Sequence, residues 1–177
     1  SKVLSSKIFE NNVVETAIGS PTLEWDKIPL TKNLDTRNLS LGMFDINGEE
    51  IKGGIAVNVG NPHIIFFCQN IKNIDIKKYG PLIENHELFP KKCNVTIAQK
   101  INDQHYIIKV WERGAGLTKA CGTAACATSV AANLNKLENS ETKIEFSTGI
   151  LNIHIDEKLN IKMKGPVSEI ESIKIKI

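Results

Sequence analysis

Apolar positions along this chain fall mostly into short runs separated by turn residues, a pattern that predicts many strands and one helix late in the sequence. Lys2 to Ile18 holds β-leaning runs interrupted at Glu10-Asn11-Asn12, as in a hairpin. Ser20-Pro21 closes that unit, and Thr22 to Asn38, with Pro29 and few apolar repeats, reads as irregular. Leu39 to Phe44 and Glu50 to Val59 are expected as strands around Asn47-Gly48, a hairpin turn signal. Ile55 to Val59 and Ile64 to Phe67 are nearly all apolar, so they read as strands buried on both faces, with Gly60-Asn61-Pro62-His63 as the turn between them. Asn70 to His86 predicts helical turns on each side of Gly80-Pro81, ended by Phe89-Pro90.

Asn94 to Lys100 and Tyr106 to Trp111 read as an antiparallel pair across Asn102-Asp103, which puts Glu112 and Arg113 at a strand end. From Ala120 to about Glu138 there is neither Pro nor a Gly beyond Gly122, and Ala124, Ala125, Ala127, Val130, Ala131, Ala132, Leu134 and Leu137 spread round much of a helical surface. A helix small and apolar over that much of its circumference is expected to be enclosed, here wrapped by sheet. Lys143 to Phe146, Ile150 to Ile155 and Leu159 to Met163 form a meander, and Ile173, Ile175 and Ile177 place one apolar face on a final strand from Ile170 to Ile177.

The Gly-rich loop Glu112-Arg113-Gly114-Ala115-Gly116 leads to Cys121-Gly122-Thr123 at the helix start. Unpaired amides and the positive dipole end make such a position an anion site. A thiol placed there is expected to titrate below its usual value near ~8.5, in the range of roughly 3.5–7.5. The other reading is a core helix of small residues that contains two buried cysteines, Cys121 and Cys126, and spacing leaves both open. Asn61 and His63 lie where a ligand can meet them on a rigid support, although Gly-Asn and Asn-Pro are also ordinary turn chemistry.

Composition narrows the classes. The 177 residues suffice for one domain, or one and a fraction, with a sizeable core. A net charge of +2 with both signs interspersed, and 6% aromatic residues, give no basic stripe or stacking platform, so no nucleic-acid partner is expected. The longest apolar runs, such as Ile64 to Cys68, are too short to span a bilayer, and no signal-peptide order precedes them; a cytoplasmic protein is expected. Cysteines 68, 93, 121 and 126 form no CxxC pair, which disfavours a disulfide framework or a zinc site. Arg37 and Arg113 are the only arginines in a lysine-rich chain, so Arg113 beside the Gly-rich loop marks a place suited to a planar, bidentate donor, or else a solvated loop.

Taken together, Gly60-Asn61-Pro62-His63, the Gly80-Pro81-Leu82-Ile83-Glu84-Asn85-His86 segment through Phe89-Pro90, Asn94-Val95, and Glu112 to Gly116 leading to Ala120-Cys121-Gly122-Thr123 closely resemble the diaminopimelate epimerase family. The resemblance implies an α/β fold of the α+β type, in which two similar domains each curl a mostly antiparallel or mixed sheet round a central helix, with substrate held between them. It also implies an isomerase that needs no cofactor, pyridoxal phosphate included, and no metal, and that interconverts LL- and meso-diaminopimelate on the way to lysine and peptidoglycan. Two cysteines on opposite sides of the α-carbon exchange its proton in that family. Cys121 matches the second; the first lies in an N-terminal Cys-Gly-Asn motif that this sequence lacks.

Carried over residue by residue, the resemblance gives Gly122 and Thr123 the α-carboxylate. It gives Asn61, Asn94, Glu112 and Arg113 the distal amino-carboxylate end, and His63 with Glu112 the tuning of the thiols. Ala124 stands where the family often has Gly, and the residues after Asn94-Val95 depart from its common pattern. Residues 1–18 are then expected to be the last hairpin of an N-terminal domain that is otherwise absent, 19–168 the C-terminal domain, and 169–177 a strand returning to the N-terminal one. A chain with one of two cysteines is expected to be part of a longer protein and inactive alone. Its stranded sheet edges have three outcomes: pairing with each other, pairing with a second copy as a homodimer, or disorder. Two alternatives stand beside this reading, a non-catalytic binding or assembly module and another cofactor-independent racemase.

Overall fold

The computed structural model describes residues 3–45, 47–134, 140–168 and 172. Strands β1 (Ser6–Phe9) and β2 (Val13–Gly19) form the first hairpin, turned by Asn11 and Asn12 at φ 59° and 54°. Asparagine tolerates that left-handed backbone, which lets the three-residue loop 10–12 close between Phe9 and its partner Val13. The Asn47-Gly48 hairpin is shorter than expected: β3 (Met43–Phe44) and β4 (Glu50–Ile51) are two residues each. The run predicted from Glu50 to Val59 breaks at Gly53, whose φ of 73° cannot continue a strand, and resumes as β5 (Ile55–Asn58).

A ten-stranded sheet organises the described residues. Beyond β5 it contains β6 (Pro62–Cys68), β7 (Asn94–Asn102), β8 (His105–Glu112), β9 (Gly116–Thr118), β10 (Ser140–Phe146), β11 (Gly149–Ile155) and β12 (Ile161–Pro166). The order is β1-β2-β12-β11-β10-β8-β7-β6-β5, with β9 also paired to β8. The β6–β7 and β8–β10 pairs are parallel and the others antiparallel. The sheet is mixed, curled and not closed. Helix α2 (Gly122–Ala132) runs inside the curl against β5, β6, β7, β10, β11 and β12.

Enclosure explains its composition. Ala124, Ala125, Cys126, Ala127, Thr128, Ser129 and Val130 are all 0% exposed, a burial that only small side chains permit when strands approach from several sides. Its two buried hydroxyls both find partners: Thr128 Oγ1 donates to the Ala124 carbonyl at 2.8 Å, and Ser129 Oγ to Thr142 Oγ1 at 2.9 Å. The helix stops at Ala132, earlier than the expected Glu138. Asn133 caps it, its N–H reaching Val130 O and its side-chain amide reaching Ser129 O and Thr142 Oγ1. Leu137 and Glu138 lie outside the described residues, as does the predicted final strand apart from Ser172.

The opposite face of β5–β8 carries a second core, covered by the irregular segment around Ile28, Leu30 and Leu39 and by α1 (Ile76–Glu84). Asp75 caps α1 by accepting from the Lys77 and Lys78 amides at 3.0 and 3.2 Å. The helix runs straight through Gly80-Pro81, where separate helical turns were expected. Packing overrides the local signal. Gly80 lies so close to Trp111 on β8 that a Cβ there would overlap the indole, and burial of Ile76, Tyr79 and Ile83 holds the helix together despite the lost Pro81 N–H.

Candidate active site at the start of α2

One end of the sheet gathers the candidate residues. The β5–β6 turn carries Asn61, β6 opens with Pro62 and His63, β7 opens with Asn94, and β8 ends at Glu112 followed by Arg113. Register makes the gathering exact to the residue: His63 pairs with Asn94, and Val95 with Trp111. Because β6 and β7 are parallel and β8 runs back, two strand starts and one strand end share an edge, and α2 begins beside them.

Cys121 is the N-cap of α2, in extended conformation (φ −150°, ψ 111°), and its side chain makes no capping bond. The sulfur instead lies 3.4 Å from Thr123 Oγ1. Asn61 Nδ2 donates to the same hydroxyl at 3.5 Å, and His63 Nε2 lies 2.9 Å from Asn61 Oδ1. An amide oxygen only accepts, so His63 carries its proton on Nε2. A line of polar contacts thus runs from His63 through Asn61 and Thr123 to the thiol. Gly122 sits over β12, where a Cβ would come within 2.8 Å of Met163 Sδ.

Electrostatics correct one expectation. The Cys121 thiol lies above, not below, its ordinary value. Burial is the largest cause, and the Glu112 carboxylate, in hydrogen-bonding reach, adds to it; contacts from Thr123 and the Ala124 amide pull the other way without prevailing. His63, 0% exposed, is depressed to about 3 by burial first and by the Arg113 charge second, so it is neutral at physiological pH. Cys126 and Cys68 are pushed up to about 12 and about 11, chiefly by burial, and burial raises Cys93 as well. All four thiols are free.

Asn94 and Arg113 form a second cluster. Asn94 Nδ2 donates to the Pro62 carbonyl at 2.9 Å, its Oδ1 accepts from the Arg113 amide at 3.0 Å, and Arg113 Nη1 donates to Lys91 O at 2.9 Å. Glu84, 6% exposed, is the residue that sequence reasoning left without a role. Its carboxylate accepts from Trp111 Nε1 at 2.8 Å and from the Gly114 amide at 3.0 Å. The only signal was its place in the Gly80 to His86 segment, since a glutamate on a helix with two lysines otherwise reads as solvated.

Among the described residues no group of three or more His, Cys, Asp or Glu is placed to hold a metal ion, and no helix is long and apolar enough to cross a membrane. A polar surface groove of about 720 Å³, lined by Glu15, Lys143, His154 and Lys164 among others, shares no residue with the candidate site.

The model of a family described as diaminopimelate epimerase matches residues 55–170. The diaminopimelate epimerase of Pelagibacter ubique strain HTCC1062 is 60% identical over 98% of this chain and 64% of its own length. That of Zymomonas mobilis subsp. mobilis is 39% identical over 85% of this chain and 54% of its own length. The chain therefore spans between half and two thirds of these relatives. A solved protein from Pseudomonas aeruginosa, described as a predicted epimerase, superposes with a TM-score of 0.59 at 12% identity over 94% of this chain and 60% of its own, which shows a shared fold.

Proposed function

The chain belongs to the diaminopimelate epimerase family, and from that premise we propose that it forms the C-terminal half of a cytoplasmic diaminopimelate epimerase, an isomerase of lysine and peptidoglycan precursor supply that needs no cofactor. Residues 19–168 are then the C-terminal domain, 1–18 the end of the N-terminal domain and 169–177 the strand that returns to it. The N-terminal domain is the partner that carries the other cysteine, in the Cys-Gly-Asn motif absent here, and the outer edge of β1, which pairs with no strand among the described residues and where Ile8 is 79% exposed, faces it.

In this reading the substrate α-carboxylate lies on the Gly122 and Thr123 amides at the positive end of α2, where it also stabilises charge developing as the Cα–H bond weakens. The partner cysteine, as thiolate, takes the α-proton from one face. Cys121, as thiol, gives its proton to the other face, and the carbanion electron pair forms the new C–H bond. The reverse direction exchanges the two roles. Asn61, Asn94, Glu112 and Arg113 hold the distal amino-carboxylate end, and Glu112 and His63 tune the thiol.

A single observation carries the reading: the one thiol at a helix start is held protonated by burial and by Glu112, as a general acid must be. The test is α-proton exchange of LL- and meso-diaminopimelate in deuterated water, with this chain alone, with a separately expressed N-terminal half, and with Cys121→Ala. Exchange and inversion are expected only with both halves, falling about 10²–10⁴-fold in the variant. No exchange with both halves folded and associated would favour a binding module instead.

A further inference from the structure

We propose that Glu84, the last residue of α1, is the positioning residue that aims the Glu112–Arg113 turn and so sets how tightly the far end of the substrate is held. The role rests on the reading of Glu112 and Arg113 as the holders of that end. A carboxylate only 6% exposed must find donors for both oxygens or destabilise the fold. Glu84 finds them in one short segment: Trp111 Nε1 at 2.8 Å on Oε2, and the Gly114 amide at 3.0 Å on Oε1. Those two residues stand immediately before and after Glu112-Arg113, so one side chain clamps both flanks of the pair.

Two features make the clamp rigid. Residue 80 is glycine, which lets α1 lie directly on the Trp111 ring and brings Glu84 within reach. Gly114 takes φ +78°, a conformation that turns the chain sharply towards β9 and presents its amide to the carboxylate. Lys92 Nζ, 3.8 Å from Oε1, adds a cation on the solvent side. None of the Glu84 bonds ends on Cys121, Thr123 or Asn61, so the carboxylate reaches the thiol only indirectly, through Glu112, and its direct effect is on the geometry of the turn.

An amide in place of the carboxylate keeps the shape but points an N–H at one of the two donors, and the turn must shift to separate them. The test compares wild type with Glu84→Gln in the intact protein by steady-state epimerisation of diaminopimelate. KM is expected to rise about tenfold or more, as small misplacements of a binding group cost that much, with any fall in kcat, passed on through Glu112, smaller than the rise in KM. A KM that does not change, or a kcat that falls at least as far as KM rises, overturns the role. Should Glu84→Gln fail to fold, Trp111→Phe removes the Oε2 partner while keeping an aromatic ring against Gly80: a KM raised by more than kcat falls supports the clamp and an unchanged one overturns it. Wild-type protein without epimerase activity overturns the functional reading and, with it, the role given to Glu84.

Discussion

The two halves of the sheet are built from different strands. In β5–β8 both faces are covered, α2 on one side and α1 with the irregular segment on the other. Alternate residues of β6 accordingly enter different cores: Ile65 packs with the α2 core, and Ile64 and Phe66 with the α1 core. In β10–β12 only the α2 face is covered among the described residues. Ile144, Phe146, Ile153, Ile155 and Ile161 point inward, while Glu141, Lys143, Asn152 and Lys162 alternate with them on the outer face. Every candidate polar residue on a strand or strand turn (Asn61, His63, Asn94, Glu112, Arg113) belongs to the covered half. Two cores hold those strand ends rigidly, and a site that must place several groups about one small ligand needs that rigidity.

The contrast can be broken first on the outer faces. Phe66→Ala, in the covered half, is expected to cost about 3–5 kcal/mol because it empties a fully buried ring site. Lys143→Ala, on the open half, should stay within about 0.5 kcal/mol. Urea denaturation of the two variants decides it, and equal losses would mean that the second core is not closed over β6.

The two helices sharpen the comparison at a smaller scale. Ala127→Leu inside the curl, where the side chain is 0% exposed, should cost about 1–3 kcal/mol by overpacking. Leu82→Ala on α1, with Leu82 63% exposed, should change stability by under about 0.5 kcal/mol. A tolerated Ala127→Leu would argue against a closely wrapped α2.

The last test concerns His63 and reads a slope of stability with pH instead of a single loss. Its folded value near 3 lies below its unfolded value near 6.5, so the unfolded chain binds the proton first as pH falls. Its contribution is complete above about pH 6.5 and is lost progressively towards pH 3, at no more than about 1.4 kcal/mol per pH unit. His63→Gln should flatten that part of the stability profile, measured by chemical denaturation across the window, and an unaltered slope would assign the acid sensitivity to other groups.

Much of this was legible in the chain itself. Nearly continuous apolar runs at Ile55 to Val59 and Ile64 to Phe67 announced strands buried on both faces, and the runs from Lys143 to Met163 announced the meander of β10, β11 and β12. The small residues of α2 announced enclosure. Asn61, His63, Asn94, Glu112 and Arg113 could be placed at strand ends because turn residues punctuate the sequence there. Gly80-Pro81 misled, since the contact that favours glycine is with Trp111, far along the chain. Glu84 escaped notice for the same reason: its donors are 27 and 30 residues away.

The sequence by itself determined the elements, their burial on one face or two, and the family, because each depends on residues near one another in the chain. Only the tertiary structure decided that the strand ends and the start of α2 share one edge, that α1 survives its proline, and that Glu84 braces the Arg113 turn. It also decided the state of the thiol. A helix end alone favours thiolate, but burial and a carboxylate brought from β8 outweigh it, and desolvation with long-range charge are set by packing that no local pattern encodes.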